Sequence, residues 1–202
     1  MANVIKNHTL FPTIISEFKY IADKKLIDAI KNQDLWEGYS PNLSQQSKNN
    51  TLHKEKEFES ITNKILETTK EICDFYEYSY KSIEITNLWV NFSSKNRFHS
   101  PHTHSNNIFS GVWFPFQNTS KTPIIFQDPR AAANVLVPKI NNRNKYNSSL
   151  IMFQPHENVG YIFPSWLSHY VPPTTTNRIS LSWNIILRGE YGEPNSLQNA
   201  SI

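Results

Sequence analysis

From Ser82 onward the chain is a succession of short apolar runs: "SIEITNLWVNFS", "NIFSGVWFPF", "TPIIFQ", "ANVLVP", "SLIMFQP", "VGYIFP" and "RISLSWNIILR". Clusters of Asn, Pro, Ser and Gly separate them. In the first run, Ile83, Ile85, Leu88 and Val90 are set against polar neighbours, as in a half-buried strand. Short strands with turn chemistry between them, at regular spacing, predict an antiparallel sandwich or barrel.

Before residue 82 the period is different. "FPTIISEFKY" starts strand-like, and then Ala22, Leu26, Ile27 and Ile30 recur at helical spacing, predicting a helix from about Asp23 to Lys31. "DLWEGYSPNLSQQSKNNTLH" reads as a polar loop around Gly38 and Pro41. The strongest helical signal lies in "KEFESITNKILETTKEICDFYEYSY". There Phe58, Ile61, Ile65, Leu66, Ile72, Cys73 and Tyr76 form an apolar stripe opposite a charged face, the pattern of a helix packed on a sheet. The expected architecture is mainly β with N-terminal helices. Residues 1–80 form a helical region packing on the core, 81–190 the β core, and 191–202 a polar, loose tail.

Composition narrows the function classes. The hydrophobic share is 38% and the aromatic share 13%, so large rings must do much of the burying. The 20 basic and 17 acidic residues are interleaved rather than blocked, which argues against a dedicated nucleic-acid binder. The single cysteine, Cys73, excludes an intrachain disulfide and fits a reducing compartment. No apolar stretch reaches membrane-spanning length, and the N-terminus lacks the apolar core of a signal peptide. A cytoplasmic protein is expected.

Three of the seven histidines, His99, His102 and His104, crowd into "FHSPHTHSNNIFSGVWF". A strand places residues two apart on one face, so His102 and His104 can point side by side into a barrel. Two neutral imidazoles are a reasonable ligand pair for a first-row transition metal. Pro101 interrupts the strand between them and His99, which makes His99 the weaker candidate. A further histidine, His169, follows the strand "VGYIFP", and Arg178 opens the last strong strand with Ser180 on its own face. If that face is inward, a guanidinium sits in an apolar interior with no acid within reach along the strand. A buried arginine without a partner is costly, and a bound carboxylate held by its fork is the natural neutraliser.

These pieces together resemble the iron(II)- and 2-oxoglutarate-dependent oxygenases, which are built on a double-stranded β-helix, a cupin-like jelly roll. Their signature is a His-x-acid pair on an early strand, a distal His on a late one, and Arg-x-Ser after it. "HTHSNNIFSGVWF" and "GYIFPSWLSHYV", followed by "RISLSWN", resemble most a microbial and phage-associated branch. The resemblance spans roughly Ile85 to Ile186. It implies iron(II) held by His102, His104 and His169, and 2-oxoglutarate as cosubstrate with its far carboxylate on Arg178 and Ser180. Asn91, on a face with Trp89, would help hold the cosubstrate or lie at the surface. The implied reaction is hydroxylation of an unidentified substrate, with 2-oxoglutarate decarboxylated to succinate.

The chain departs from the signature at His104, which stands where the family has a carboxylate. Three histidines then form the site, or His104 supports a site of His102, His169 and water; the two-residue spacing favours the first. Asp128, the nearest acid that could restore a carboxylate, reads instead as a turn residue paired with Arg130. Trp113, Trp166 and Trp183 read as core, and His8, His53 and His156 as surface. Two rival functions stay open: a three-histidine cupin dioxygenase without 2-oxoglutarate, and a non-catalytic jelly-roll binding or structural protein. Expected partners are dioxygen and a small-molecule or peptide substrate. Membrane and nucleic acid are not expected, and a homodimer stays open.

Overall fold

A computed structural model of the chain describes residues 6–38, 40–116, 121–130, 133 and 135–202. The N-terminal part holds β1 (Ser16–Lys19), α1 (Lys24–Lys31), β2 (Leu35–Trp36), β3 (Gln45–Ser47) and α2 (Glu59–Phe75), with two short 3-10 turns before α2. The β region follows as β4 (Ser82–Ser93), β5 (His99–His102), β6 (Phe109–Trp113), β7 (Ile124–Gln127), β8 (Leu150–Phe153), β9 (Val159–Pro164), β10 (His169–Val171) and β11 (Arg178–Arg188). A last pair, β12 (Glu190–Tyr191) and β13 (Ala200–Ser201), ends the chain.

Two antiparallel sheets face each other. The larger has the order β1-β9-β6-β11-β4-β3-β2 and the smaller β5-β10-β7-β8. This is the jelly roll expected from the run of short strands. Its outer core is what the helical stripe predicts: Phe58, Ile61, Ile65, Ile72 and Cys73 pack on Leu88, Val90, Leu181, Trp183 and Ile185 of the large sheet. Asp23 caps α1 through a 2.8 Å bond from the Leu26 amide, so the helix starts where the sequence predicts. Gly111 sits directly opposite Trp183, and a methyl group there would overlap the indole. The second core lies between the sheets, where Val112, Phe114, Ile124, Phe126, Val159, Tyr161 and Phe163 meet.

Five expectations need correction. The "polar loop" after Asp34 supplies β2 and β3, which extend the large sheet at one edge. Their Gln and Ser side chains give no apolar alternation, so pairing with β4 decided their conformation rather than propensity. "ANVLVP" forms no strand: Val135, Leu136 and Val137 are exposed, and Asn134 lies outside the described residues. The tail is not loose throughout, because β13 returns to pair β12 and Gly189 and Ile202 exchange both backbone bonds. Trp166 is 57% exposed, unlike the buried Trp113 and Trp183, and His53 is half-buried rather than at the surface.

Candidate metal centre

The inner face of β11 carries Arg178, Ser180, Ser182 and Asn184 in alternation, all buried, while Leu181 and Trp183 point to the helices. β4 lies beside it in register, with Ser93 opposite Arg178, Asn91 opposite Ser180 and Trp89 opposite Ser182. A polar strip therefore runs through the interior of an otherwise apolar roll. On the small sheet, β5 and β10 bring His102 directly opposite His169.

His104 follows β5 and is anchored by its amide, which bonds the Ser165 carbonyl at 2.9 Å. One ring nitrogen from each of His102, His104 and His169 lies within 4.8 Å of the others, a spacing that admits one metal ion. Each ring is fixed by its Nδ1: His102 on the Ser100 carbonyl at 2.7 Å, His169 on the Leu167 carbonyl at 2.8 Å, and His104 on Asn184 Oδ1 at 2.5 Å. Carbonyl and amide oxygens accept, so Nδ1 carries the proton and each Nε2 keeps its lone pair free. His104 Nε2 is buried without a partner among the described residues. Asn184 Oδ1 also accepts from Ser110 Oγ at 2.8 Å, and Ser110 bonds Ser165, so His104 stands on a connected network.

Electrostatics agree with neutral ligands. Burial, then the neighbouring His102, hold the His169 imidazole down at about 3, against an opposing bond to Leu167. Burial and His102 also lower His104, with Asn184 acting against them. The residues fit a divalent iron: three imidazoles, aimed together, with second ring nitrogens tied down. Asp128 is not among them. It forms the expected turn, its carboxylate paired with the Arg130 guanidinium at 2.8 and 2.9 Å.

Arg178 is 2% exposed, and burial lowers its guanidinium to about 10, so it stays a cation. Its Nη1 donates weakly to Ser180 Oγ at 3.3 Å, and its Cζ lies 4.9 Å from the centroid of the Phe114 ring. Its Nε has no partner, and no carboxylate pairs with it among the described residues. Asn91 is inside rather than at the surface, 4% exposed. Its amide is engaged by Ser182 at 2.9 Å, Trp89 at 3.0 Å and Gln46 at 3.3 Å.

His99 is the residue that spacing undervalues. Val171 pairs with His99 and His169 with His102, so two steps along β10 oppose three along β5. The extra residue is a bulge, which returns His99 to the face that carries His102. Pro101 belongs at such an irregularity on an edge strand. Burial first, then the charge of Arg178, then the three other histidines hold the His99 imidazole down at about 3. His99 is half-buried, and its lowering by Arg178 and the three histidines puts it near both. Asn184 was equally hidden; its one signal is its place in the alternating row after Arg178, Ser180 and Ser182.

Residues 87–184 match a family described as "Putative 2OG-Fe(II) oxygenase". A search of curated protein sequences gave no match. Among solved structures, a prolyl-4-hydroxylase from Pseudomonas putida superposes with a TM-score of 0.59 at 10% identity, covering 87% of this chain and 94% of that one. A 2OG-Fe(II) oxygenase family member from Burkholderia pseudomallei gives 0.57 at 14% identity, covering 79% and 75%. HygX from Streptomyces hygroscopicus, with nickel, 2-oxoglutarate and hygromycin B bound, gives 0.57 at 8% identity, covering 87% and 83%. At these identities the structures establish the shared jelly-roll fold. The matched segment, just under half of the chain, holds all three histidines, Arg178 and Ser180, and over it the chain is similar to the 2-oxoglutarate- and iron(II)-dependent oxygenases.

Proposed function

We propose that the protein hydroxylates a substrate at an iron(II) centre held by His102, His104 and His169 through their Nε2 atoms. 2-Oxoglutarate is the cosubstrate, its far carboxylate paired with Arg178 and Ser180. Dioxygen would be the oxidant, activated at the bound iron. One oxygen atom goes to the substrate as hydroxyl and the other to 2-oxoglutarate, which gives up two electrons as it is decarboxylated to succinate and carbon dioxide. The chain supplies position and a dry interior. Arg178 is the observation that carries the cosubstrate reading, because a buried cation with an unpartnered Nε needs an anion. Its neighbour Ser180 offers a hydroxyl to the same carboxylate. His99, on the same inner face by register, would donate a hydrogen bond to the cosubstrate without adding charge. Asn91 acts at one remove, holding Trp89 and Ser182 in place.

A three-histidine cupin dioxygenase without 2-oxoglutarate is favoured by one feature, the imidazole of His104 where the family has a carboxylate. It leaves the Arg178 charge without an occupant. A cytoplasmic setting is supported by the single thiol of Cys73, buried and pushed up to about 11, which suits packing rather than redox chemistry. Among the described residues no helix is long and apolar enough to cross a membrane.

The test is metal content together with turnover. Wild-type protein takes up iron and, with 2-oxoglutarate, dioxygen and ascorbate as the reductant standing in for substrate, forms succinate. His169→Ala loses both, since β5 and the segment after it cannot hold iron alone. Undiminished iron in His169→Ala would show the site misplaced, and iron uptake without succinate would favour the cupin reading.

A further inference from the structure

The three imidazoles of the centre are oriented by different means. His102 and His169 each bond a carbonyl two residues back in their own segments, Ser100 at 2.7 Å and Leu167 at 2.8 Å. Local backbone geometry orients both rings, and no side-chain change removes those acceptors. His104 lies beyond the end of β5. Its Nδ1 depends on a side chain 80 residues away, Asn184 Oδ1 at 2.5 Å. The Trp89 indole also stacks on the ring, with centroids 6.1 Å apart. Trp89, however, is half-buried and lines an open groove of about 480 Å³ with Trp36, Gln46 and Lys48, beside β2 and β3. Stacking fixes the plane of an imidazole but not which nitrogen points where. The bond to Asn184 decides that.

We propose that Asn184 is the positioning residue that makes His104 a metal ligand, by holding the proton on Nδ1 and so leaving the Nε2 lone pair for the ion. The role rests on the metal-centre reading. A carboxylate at this position would offer the same oxygens whichever way it turned, whereas an imidazole ligates only through an unprotonated nitrogen. A histidine here therefore needs a fixed acceptor behind it. The remaining nitrogen agrees. His104 Nε2 is buried without a partner among the described residues. A proton there would be a buried donor with nothing to accept it, while a lone pair there is what a cation completes.

An amide has a donor end and an acceptor end, so the sense of Asn184 must itself be fixed. Turned over, it would present N–H groups to Nδ1, move the proton to Nε2 and close the ligand position. Ser110 Oγ donates to the same Oδ1 at 2.8 Å, and Ser165 Oγ stands 2.8 Å behind Ser110. With the Ser110 proton committed to Asn184, Ser165 is the donor to Ser110, and the chain of hydroxyls runs one way. Ser165 also accepts the His104 amide through its carbonyl at 2.9 Å, so it holds both ends of the network. The backbone of Asn184 is tied down too. The β11–β4 ladder shifts register directly after it, leaving Thr86 as the extra residue, and the Thr86 hydroxyl bonds the Asn184 carbonyl at 3.4 Å. Bulges of this kind recur where a strand re-aims a side chain.

The experiment is a titration of the metal-free protein with cobalt(II), without cosubstrate, followed by ligand-field absorption, which reports the ligand set as well as the affinity. Asn184→Leu keeps the volume and loses the acceptor. It is expected to bind cobalt about ten- to a hundredfold more weakly, with a spectrum shifted toward that of His104→Ala. Asn184→Asp restores the acceptor with two equivalent oxygens and recovers the wild-type affinity and spectrum. Circular dichroism and urea midpoints check that each variant folds. Should Asn184→Leu fail to fold, Ser110→Ala carries the test, since it frees the amide to turn and weakens cobalt binding with the same spectral shift. Wild-type affinity and spectrum in Asn184→Leu, or in Ser110→Ala where that one is used, overturn the inference. So does a loss in Asn184→Asp as large as in Asn184→Leu. Either result leaves the metal centre standing, whereas wild-type protein that takes up no cobalt sinks the metal-centre reading and this inference with it.

Discussion

At the scale of single residues, the interior of the roll is a place where imidazoles are held neutral. His99 and His169 are both held down at about 3, with burial as the largest cause. In the unfolded chain they titrate near 6.5. A depressed pKa means that the unfolded state binds more protons between those values, so this contribution to stability is full above about pH 6.5 and is lost as pH falls toward 3. The metal-free protein should therefore lose stability on acidification from pH 6.5, before most carboxylates titrate. Urea denaturation in chelator at stepped pH measures the slope, and His99→Gln should flatten it. Equal slopes for the two proteins between pH 6.5 and pH 5 would show that the His99 ring is solvated. The same residues show what spacing can and cannot reveal. Arg178 and Ser180 were legible together because a two-residue step on β11 predicts a shared face; His102, His104 and His169 were grouped by the resemblance, and His104 lies beyond the end of β5. His99 was not legible, since a bulge changes the step from two to three and Pro101 reads as a break. Asn184 was hidden because an amide on a strand carries no chemical signature until its partner, His104, is known.

At the scale of elements, apolar periodicity was enough wherever an element buries one face. It placed α1, α2 and most strands of the roll. It failed in both directions where burial was not the cause of structure. β2 and β3 are polar strands that exist because β4 offers a free edge, whereas Val135–Val137 are apolar residues that no sheet receives. The "SGV" of β6 is explained by packing rather than by chemistry. Gly111 leaves room for the Trp183 indole that joins the large sheet to the helices. Gly111→Ala must push that ring or the strand aside, and overpacking of this kind costs about 1–3 kcal/mol. The expected result is a denaturation midpoint lowered accordingly, measured by urea unfolding with iron uptake retained in the folded protein. An unchanged midpoint would mean that β6 and β11 can separate at no cost.

At the scale of the whole molecule, two cores divide the labour. The outer one, between α2 and the large sheet, fixes the position of β4 and β11 and therefore of the polar strip on their inner face. The inner one closes the roll at β6, β7 and β9, and leaves the β2–β4 end open beside the histidines. The fold was read largely from the chain itself, because short apolar runs with turn chemistry between them mark the strands of the roll. The open groove was not legible, since it depends on two polar strands that sequence alone reads as loop. The central claim concerns what fills the space before Arg178. A charge-assisted pair between its guanidinium and a carboxylate, once desolvated, is worth roughly 2–5 kcal/mol when one partner is truncated. The decisive measurement is a titration of the iron-loaded protein with 2-oxoglutarate, for wild type and Arg178→Ala, by metal-to-ligand absorption or calorimetry. Affinity about thirtyfold weaker or worse in Arg178→Ala, with iron content retained, is the predicted result. Equal affinities with iron bound in both proteins would contradict the cosubstrate assignment.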